Sequence, residues 1–161
     1  LHGITMALWH LLRLLVPEPA FSVVSSDLVI GRRLLPSEIE GEFANYVDLA
    51  AEFPEPARLR GLPSYISFPV LDASAPTTEA LGELVARLRP GRTYIHCAQG
   101  HGRTGTVALA VLLSSGRGDL NEALELIQRA RPGVRLGKKQ HRLIRLYAEQ
   151  LLKPRPAGFS G

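Results

Sequence analysis

Tyr94-Ile95-His96-Cys97-Ala98-Gln99-Gly100-His101-Gly102-Arg103-Thr104-Gly105-Thr106 opens with β-branched and aromatic residues, passes through glycines, and leads into the apolar residues 107–113. The first part reads as a strand, the last as a buried helix, and residues 97–103 as the loop between them. The one cysteine of the chain therefore stands where a strand ends and a helix begins.

Gly100 and Gly102 let successive backbone N–H groups turn inward into an anion-binding concavity, and the following helix adds the positive end of its dipole. The main chain of Ala98, Gln99, Gly100, His101, Gly102 and Arg103 is the expected phosphate cradle. The planar fork of Arg103 matches two phosphate oxygens. Cys97, at the near end, then faces an electropositive floor that favours thiolate, a nucleophile aimed at phosphorus. The alternative reading makes Cys97 a buried small hydrophobe, but it leaves the glycines, the arginine and the hydroxyl of Thr104 at a helix mouth unexplained.

His96-Cys97, five residues, then Arg103-Thr104 resembles the signature of the cysteine-dependent protein tyrosine phosphatases at each fixed position. The resemblance covers most of the chain after about residue 21, and its specific part is this loop. The small size, and the lack of a motif for a deep phosphotyrosine pocket, liken the chain to the compact dual-specificity branch. The resemblance implies phosphate transfer to Cys97 and then attack by water, with Arg103 holding the charge and no metal or cofactor needed. It also implies that Thr104 donates to the thiolate, that His96 orders the loop, and that Gln140 resembles a glutamine used to position water. As alternatives, Thr104 is a helix-start residue, His96 a hydrogen-bonded core histidine and Gln140 a solvated helix-start residue.

A phosphate monoester leaves badly as an alkoxide, so a proton donor is needed. In the family it is an aspartic acid on a mobile loop some tens of residues before the cysteine, and Leu71-Asp72-Ala73-Ser74-Ala75-Pro76 fits. Asp72 is the favoured acid; Asp48, inside an expected strand and farther upstream, is the alternative. A structural reading has Asp72 capping backbone N–H groups ahead of the helix near Thr78.

The 161 residues, 45% hydrophobic, fit one domain. Its expected class is α/β, with a central, mostly parallel sheet of four to five strands flanked by helices. Residues 1–86 hold 5 Lys or Arg against 11 Asp or Glu, and residues 87–153 hold 13 against 4. The half with the phosphate loop is the basic one, which predicts a field that attracts anions. One cysteine and no disulfide framework point to a reducing compartment, the cytoplasm.

Short apolar runs at 21–24 and 28–30 predict two strands joined by a turn, and 36–39 a short helix start. Arg32 and Arg33, after the second run, read as a solvated pair, with a place flanking the substrate mouth as the alternative. Residues 46–50 and 65–71 are further strands, with Pro69 against regular pairing, and the prolines at 54 and 56 mark a loop. Residues 78–89 form an amphipathic helix that crosses over to the strand carrying Cys97. The phosphate loop then lies at the carboxyl edge of a parallel sheet. Asp119 and Glu122 predict a capping box, and Leu143, Ile144, Tyr147 and Leu151 the buried stripe of the last helix.

The catalytic domain is expected over residues 21–153, with an N-terminal amphipathic segment at 1–20 and a loose tail at 154–161. The first residue, Leu1, suggests a processed or truncated chain. Leu8, Leu11, Leu12 and Leu15 lie at helical spacing, too short a run to span a bilayer. That segment either packs on the domain, the favoured reading, or touches a membrane.

Expected partners are phosphorylated proteins, with no nucleic acid. Hydrolysis of phosphoinositides or RNA 5′-phosphates, and a phosphate-binding module without turnover, stay open as alternatives. The uncharged Ala98, Gln99 and His101 argue against a highly charged headgroup, since lipid-directed relatives tend to carry lysines there. A rhodanese-type sulfur-transfer enzyme also uses a cysteine loop, but the Arg103-Thr104-Gly105 entry into a long helix fits phosphatases better.

Overall fold

The computed structural model describes residues 18–39, 42–52 and 54–153. The N-terminal amphipathic stripe and the C-terminal tail lie outside the described residues. The strands, in chain order, are β1 (Phe21–Val23), β2 (Leu28–Arg32), β3 (Asn45–Ala50), β4 (Tyr65–Val70) and β5 (Thr93–Cys97). The helices are α1 (Ala57–Arg60), α2 (Thr78–Ala86), α3 (Gly102–Ser114), α4 (Leu120–Ala130) and α5 (Lys138–Leu152), with a 3₁₀ turn at Pro36–Glu38.

Among the described residues the five strands form one sheet in the order β1-β2-β5-β3-β4. Only β1 runs antiparallel to its neighbour. β5 lies at the centre and is buried along its whole length, as expected of a parallel strand covered on both faces. The expected crossover from β4 through α2 to β5 is parallel but passes over β3, which pairs with both strands. The register between β3 and β4 shifts between Asp48 and Ala50, opposite Ser67 to Val70. Pro69 sits in that interval, where its missing N–H forces a bulge.

Side chains alternate across a strand, so Ile95 and Cys97 face one layer and Tyr94 and His96 the other. The first layer packs Ile95 and Cys97 with Val107, Leu109 and Leu112 of α3, Ile127 of α4 and Ile144 of α5. α3 is buried on nearly all sides because α2, α4 and α5 surround it. The second layer joins Val29, Leu34, Tyr46, Leu59 and Tyr94.

The structure corrects several local expectations. Arg32 and Arg33 are not solvated: Arg32 holds Glu38 at 2.8 Å, and buried Arg33 holds Glu55 at 3.0 Å and the Pro54 carbonyl at 2.9 Å. Leu151 points outward, one turn past the last buried residue of α5, Tyr147. α2 ends at Ala86, two turns' worth of apolar spacing being enough to seat Leu81 and Leu84, while the one-turn α1 lies in a stretch read as loop. The Asp119–Glu122 capping box is present, with Glu122 accepting from the Asp119 N–H at 2.8 Å.

Candidate active site

The loop after β5 closes tightly on Cys97. Gly100 donates its N–H to Cys97 Sγ at 3.2 Å, and Cys97 is 3% exposed. Gly100 has φ 77°, and a Cβ there would lie 2.2 Å from the Gly31 carbonyl carbon. Glycine is thus required twice, for the left-handed backbone and for the close approach to β2. Gly102 is held as tightly, since a Cβ would meet Gln140 Oε1 at 2.7 Å.

Arg131, a residue that sequence reasoning missed, fixes the loop from behind. Its buried guanidinium donates to the carbonyls of Gln99 at 3.0 Å, Gly100 at 2.9 Å and Pro19 at 2.9 Å, and pairs with Glu18 at 2.8 Å. Glu18 also contacts His101 Nε2 at 2.7 Å. Turning these carbonyls toward Arg131 leaves the loop's N–H groups for the opposite side. The only hint in the sequence was an arginine directly before Pro132-Gly133.

Arg103 is 6% exposed and spans the mouth of the loop. Its fork grips Glu52 through both terminal nitrogens, at 2.7 and 2.9 Å, and donates to the Val70 carbonyl at 2.9 Å. Its NH2 also lies 3.5 Å from Asp72. Burial works against the charge on Arg103, but the hydrogen bonds to Glu52 and the negative groups around it hold its pKa above the usual value. Glu52 was not foreseen, because one glutamate after a strand carries no spacing signal.

Asp72 follows β4 at the carboxyl edge of the sheet, and its side chain is 82% exposed. It does not cap the next helix, for Thr77 does that by accepting from Ala80 N at 3.2 Å. Ala73 beside it has φ 54°, a conformation that costs a non-glycine residue about 1 kcal/mol. Asp48 is buried on the opposite face of the sheet, where it accepts from Tyr65 Oη at 2.8 Å and Ala50 N at 2.9 Å.

Gln140 is buried, not solvated: its Nε2 donates to the Ser74 carbonyl at 3.2 Å and its Oε1 accepts from Gly137 N at 2.9 Å. It thereby joins the Asp72 loop, the start of α5 and Gly102. Thr104 is fully buried in the first turn of α3, and its Oγ1 finds no hydrogen-bond partner among the described residues. Ala98 packs with Ala50 and Leu35.

His96 directly precedes Cys97 and has no exposed surface, and its Nε2 lies 3.7 Å from both Asp48 and Glu55. The rings of Tyr46 and Tyr94 flank it at 5.0 and 5.6 Å. Burial pushes its pKa down to about 4, so the ring is neutral at pH 7. Burial also pushes Glu55 up to about 7, with Asp48 adding to the rise and Arg33 opposing it. The ligand atoms of Asp48, Glu55 and His96 lie within 4.8 Å of one another, close enough for a metal ion. Arg33 and Tyr65, however, already bond to the two carboxylates. Arg33 pairs with Glu55, while burial and the nearby Asp48 carboxylate favour the protonated form of Glu55.

Solved structures share this fold. None of the curated proteins matches the chain. Among solved structures, Tk-PTP in its active form is 28% identical with a TM-score of 0.71, over 82% of this chain and 98% of that one. Human DUSP28 is 19% identical with a TM-score of 0.69, over 86% and 98%. PTPMT1 in complex with PI(5)P is 14% identical with a TM-score of 0.70, over 83% and 97%. The last two likenesses carry the fold alone. The family model described as the Swiss Army Knife protein, DSP-PTPase phosphatase domain, matches residues 44–147. That span runs from β3 through most of α5 and takes in the cysteine loop, so the chain belongs to the PTP-SAK family, a compact dual-specificity branch of the cysteine-based phosphatases.

Proposed function

We propose that the chain hydrolyses phosphate monoesters on proteins, phosphotyrosine and also phosphoserine or phosphothreonine, through a cysteinyl-phosphate intermediate. One observation carries the reading. Cys97 Sγ lies at the base of a loop whose Gly100 N–H points at it, while Arg103 and the exposed carboxylate of Asp72 stand 3.5 Å apart at the same edge.

In the first step the sulfur attacks phosphorus, the ester P–O bond breaks, and Asp72 gives its proton to the departing oxygen. Water then attacks the phosphocysteine, Asp72 takes the proton back, the S–P bond breaks and inorganic phosphate leaves. Arg103 and the loop N–H groups bear the charge on the equatorial oxygens. Glu52 occupies the terminal nitrogens of Arg103, so the Nε edge is the one presented to the anion. Thr104 Oγ1, unpartnered one turn into α3, is the hydroxyl available to the leaving sulfur.

The cytoplasm is the proposed compartment, because the mechanism needs its single cysteine reduced. No helix among the described residues is long and apolar enough to cross a membrane. The test is hydrolysis of a chromogenic aryl phosphate by the wild-type chain and by Cys97→Ser. Turnover by the first and none by the second supports the reading, and turnover by neither leaves a phosphate-binding module.

A further inference from the structure

Three of the thirteen Lys and Arg residues between positions 87 and 153 lie on one exposed face of α5, together with a histidine. Lys138, His141, Arg142 and Arg145 recur there at helical spacing, all exposed. Glu149 is the only acid of the helix. Among the described residues none of these cations is in an ion pair, although Arg32, Arg117 and Arg129 on other elements each have an acidic partner. These residues, with Leu136 and the exposed Leu146, line a groove of about 490 Å³.

The stripe begins at Lys138, in the same turn of α5 as Gln140, which reaches the phosphate loop. Gln140, on the inner side of the first turn of α5, bonds to Ser74 and abuts Gly102. From Lys138 to Arg145 the helix rises roughly 10 Å. An extended peptide advances about 3.3 Å per residue, so the stripe is as long as about three peptide residues.

We propose that this face of α5 docks the acidic flank of a phosphorylated protein segment, which rests on the phosphatase reading of the neighbouring loop. The cations supply charge complementarity, and Leu136 and Leu146 take the aliphatic stems of the peptide. The stripe's start in the turn of α5 that reaches the phosphate loop suits a segment held there by its phosphoryl group.

The test uses the full chain with a phosphotyrosine peptide carrying several Asp and Glu residues on one side, its Asn and Gln counterpart, and an aryl phosphate. Wild type should prefer the acidic peptide through KM, with the preference fading at high salt. Lys138→Glu, Arg142→Glu and Arg145→Glu combined should raise KM for the acidic peptide roughly tenfold, the scale of a few exposed charge contacts, and leave aryl phosphate turnover as it was. Arg142→Gln with Arg145→Gln should give a smaller rise in the same direction. Equal turnover of the two peptides by wild type overturns the proposal, and so does an equal loss on peptide and aryl phosphate in the variants. Phosphatidylserine vesicles bound through these residues, without any peptide preference, overturn it in favour of a membrane. Fluorescence anisotropy with the unphosphorylated acidic peptide reads the groove without catalysis. Peptide binding without aryl phosphate turnover would strike the phosphatase reading alone, and turnover without peptide binding would strike the groove alone.

Discussion

Arg103 and Glu52 face each other fork to fork, both terminal nitrogens of the guanidinium within 2.9 Å of the carboxylate. A two-pronged, charge-assisted pair fixes the plane of an arginine as well as its position. Glu52→Ala should release that plane and lower kcat/KM for an aryl phosphate by roughly 10- to 100-fold, the cost of losing charged hydrogen bonds. Steady-state kinetics, with inorganic phosphate as competitive inhibitor, checks it. Arg103→Lys should lose more, because a point charge cannot make the two-pronged contact with either Glu52 or phosphate.

Asp72 is accessible and tied to Arg103, as an acid that meets a departing oxygen must be. Asp72→Asn should lower kcat by roughly 10²–10⁴-fold for poor leaving groups, and far less for an activated aryl phosphate that leaves without a proton. Two substrates of different leaving-group acidity decide the matter. Equal losses on both would remove Asp72 from the reaction and move the search to Glu79, exposed in the first turn of α2.

Arg131 is the support of the loop. Arg131→Met should leave the Gln99 and Gly100 carbonyls without this donor and Glu18 with His101 alone, at a cost of about 3 kcal/mol, the scale of a broken buried pair. For a chain of this size that corresponds to a Tm lower by roughly 6–12 °C. Thermal melting measures the loss, and slower turnover at temperatures where the variant is still folded would show that the loop has moved.

The central strand, the glycine loop and the buried helix were legible in residues 94–113, because local pattern and tertiary role agree there: β-branched residues, then glycines, then an apolar run. The Asp119 cap was legible for the same reason. Glu52, Arg131 and Glu18 were not, since each meets its partner across a long chain separation, Arg131 and Glu18 being 113 residues apart. No periodicity encodes such a contact. Arg33 was read as solvated, and Gln140 had solvation as its alternative reading, because charge and polarity usually mark the surface. Each is buried by a partner that the strand order brings near, Glu55 in one case and the Ser74 carbonyl in the other.

The proton on Glu55 gives a pH signature. Its folded pKa is raised from 4.5 to about 7, so the folded state binds more protons there than the unfolded chain. Stability from this group is therefore full below about pH 4.5 and falls as pH rises through 7. His96, lowered from 6.5 to about 4, acts in the opposite sense, losing stability as pH falls from 6.5 toward 4. Glu55→Gln removes the Glu55 contribution and leaves that of His96, with Arg33 losing its charged partner and Asp48 keeping its bond to Tyr65. The Tm of the variant minus that of wild type should rise steadily between pH 4.5 and 7.5, as thermal melts across that range would show. A flat difference would mean that Glu55 is ionised throughout.

The most direct test of the account is to trap the covalent intermediate. Full chain carrying Asp72→Asn, mixed with an activated aryl phosphate and quenched in acid, should gain the mass of one phosphoryl group, and peptide mapping should place it on Cys97. The gain should be absent from Cys97→Ser. Release of the aryl alcohol at the wild-type rate by Cys97→Ser, or a phosphoryl group on any other residue, would contradict the assignment of Cys97 as nucleophile.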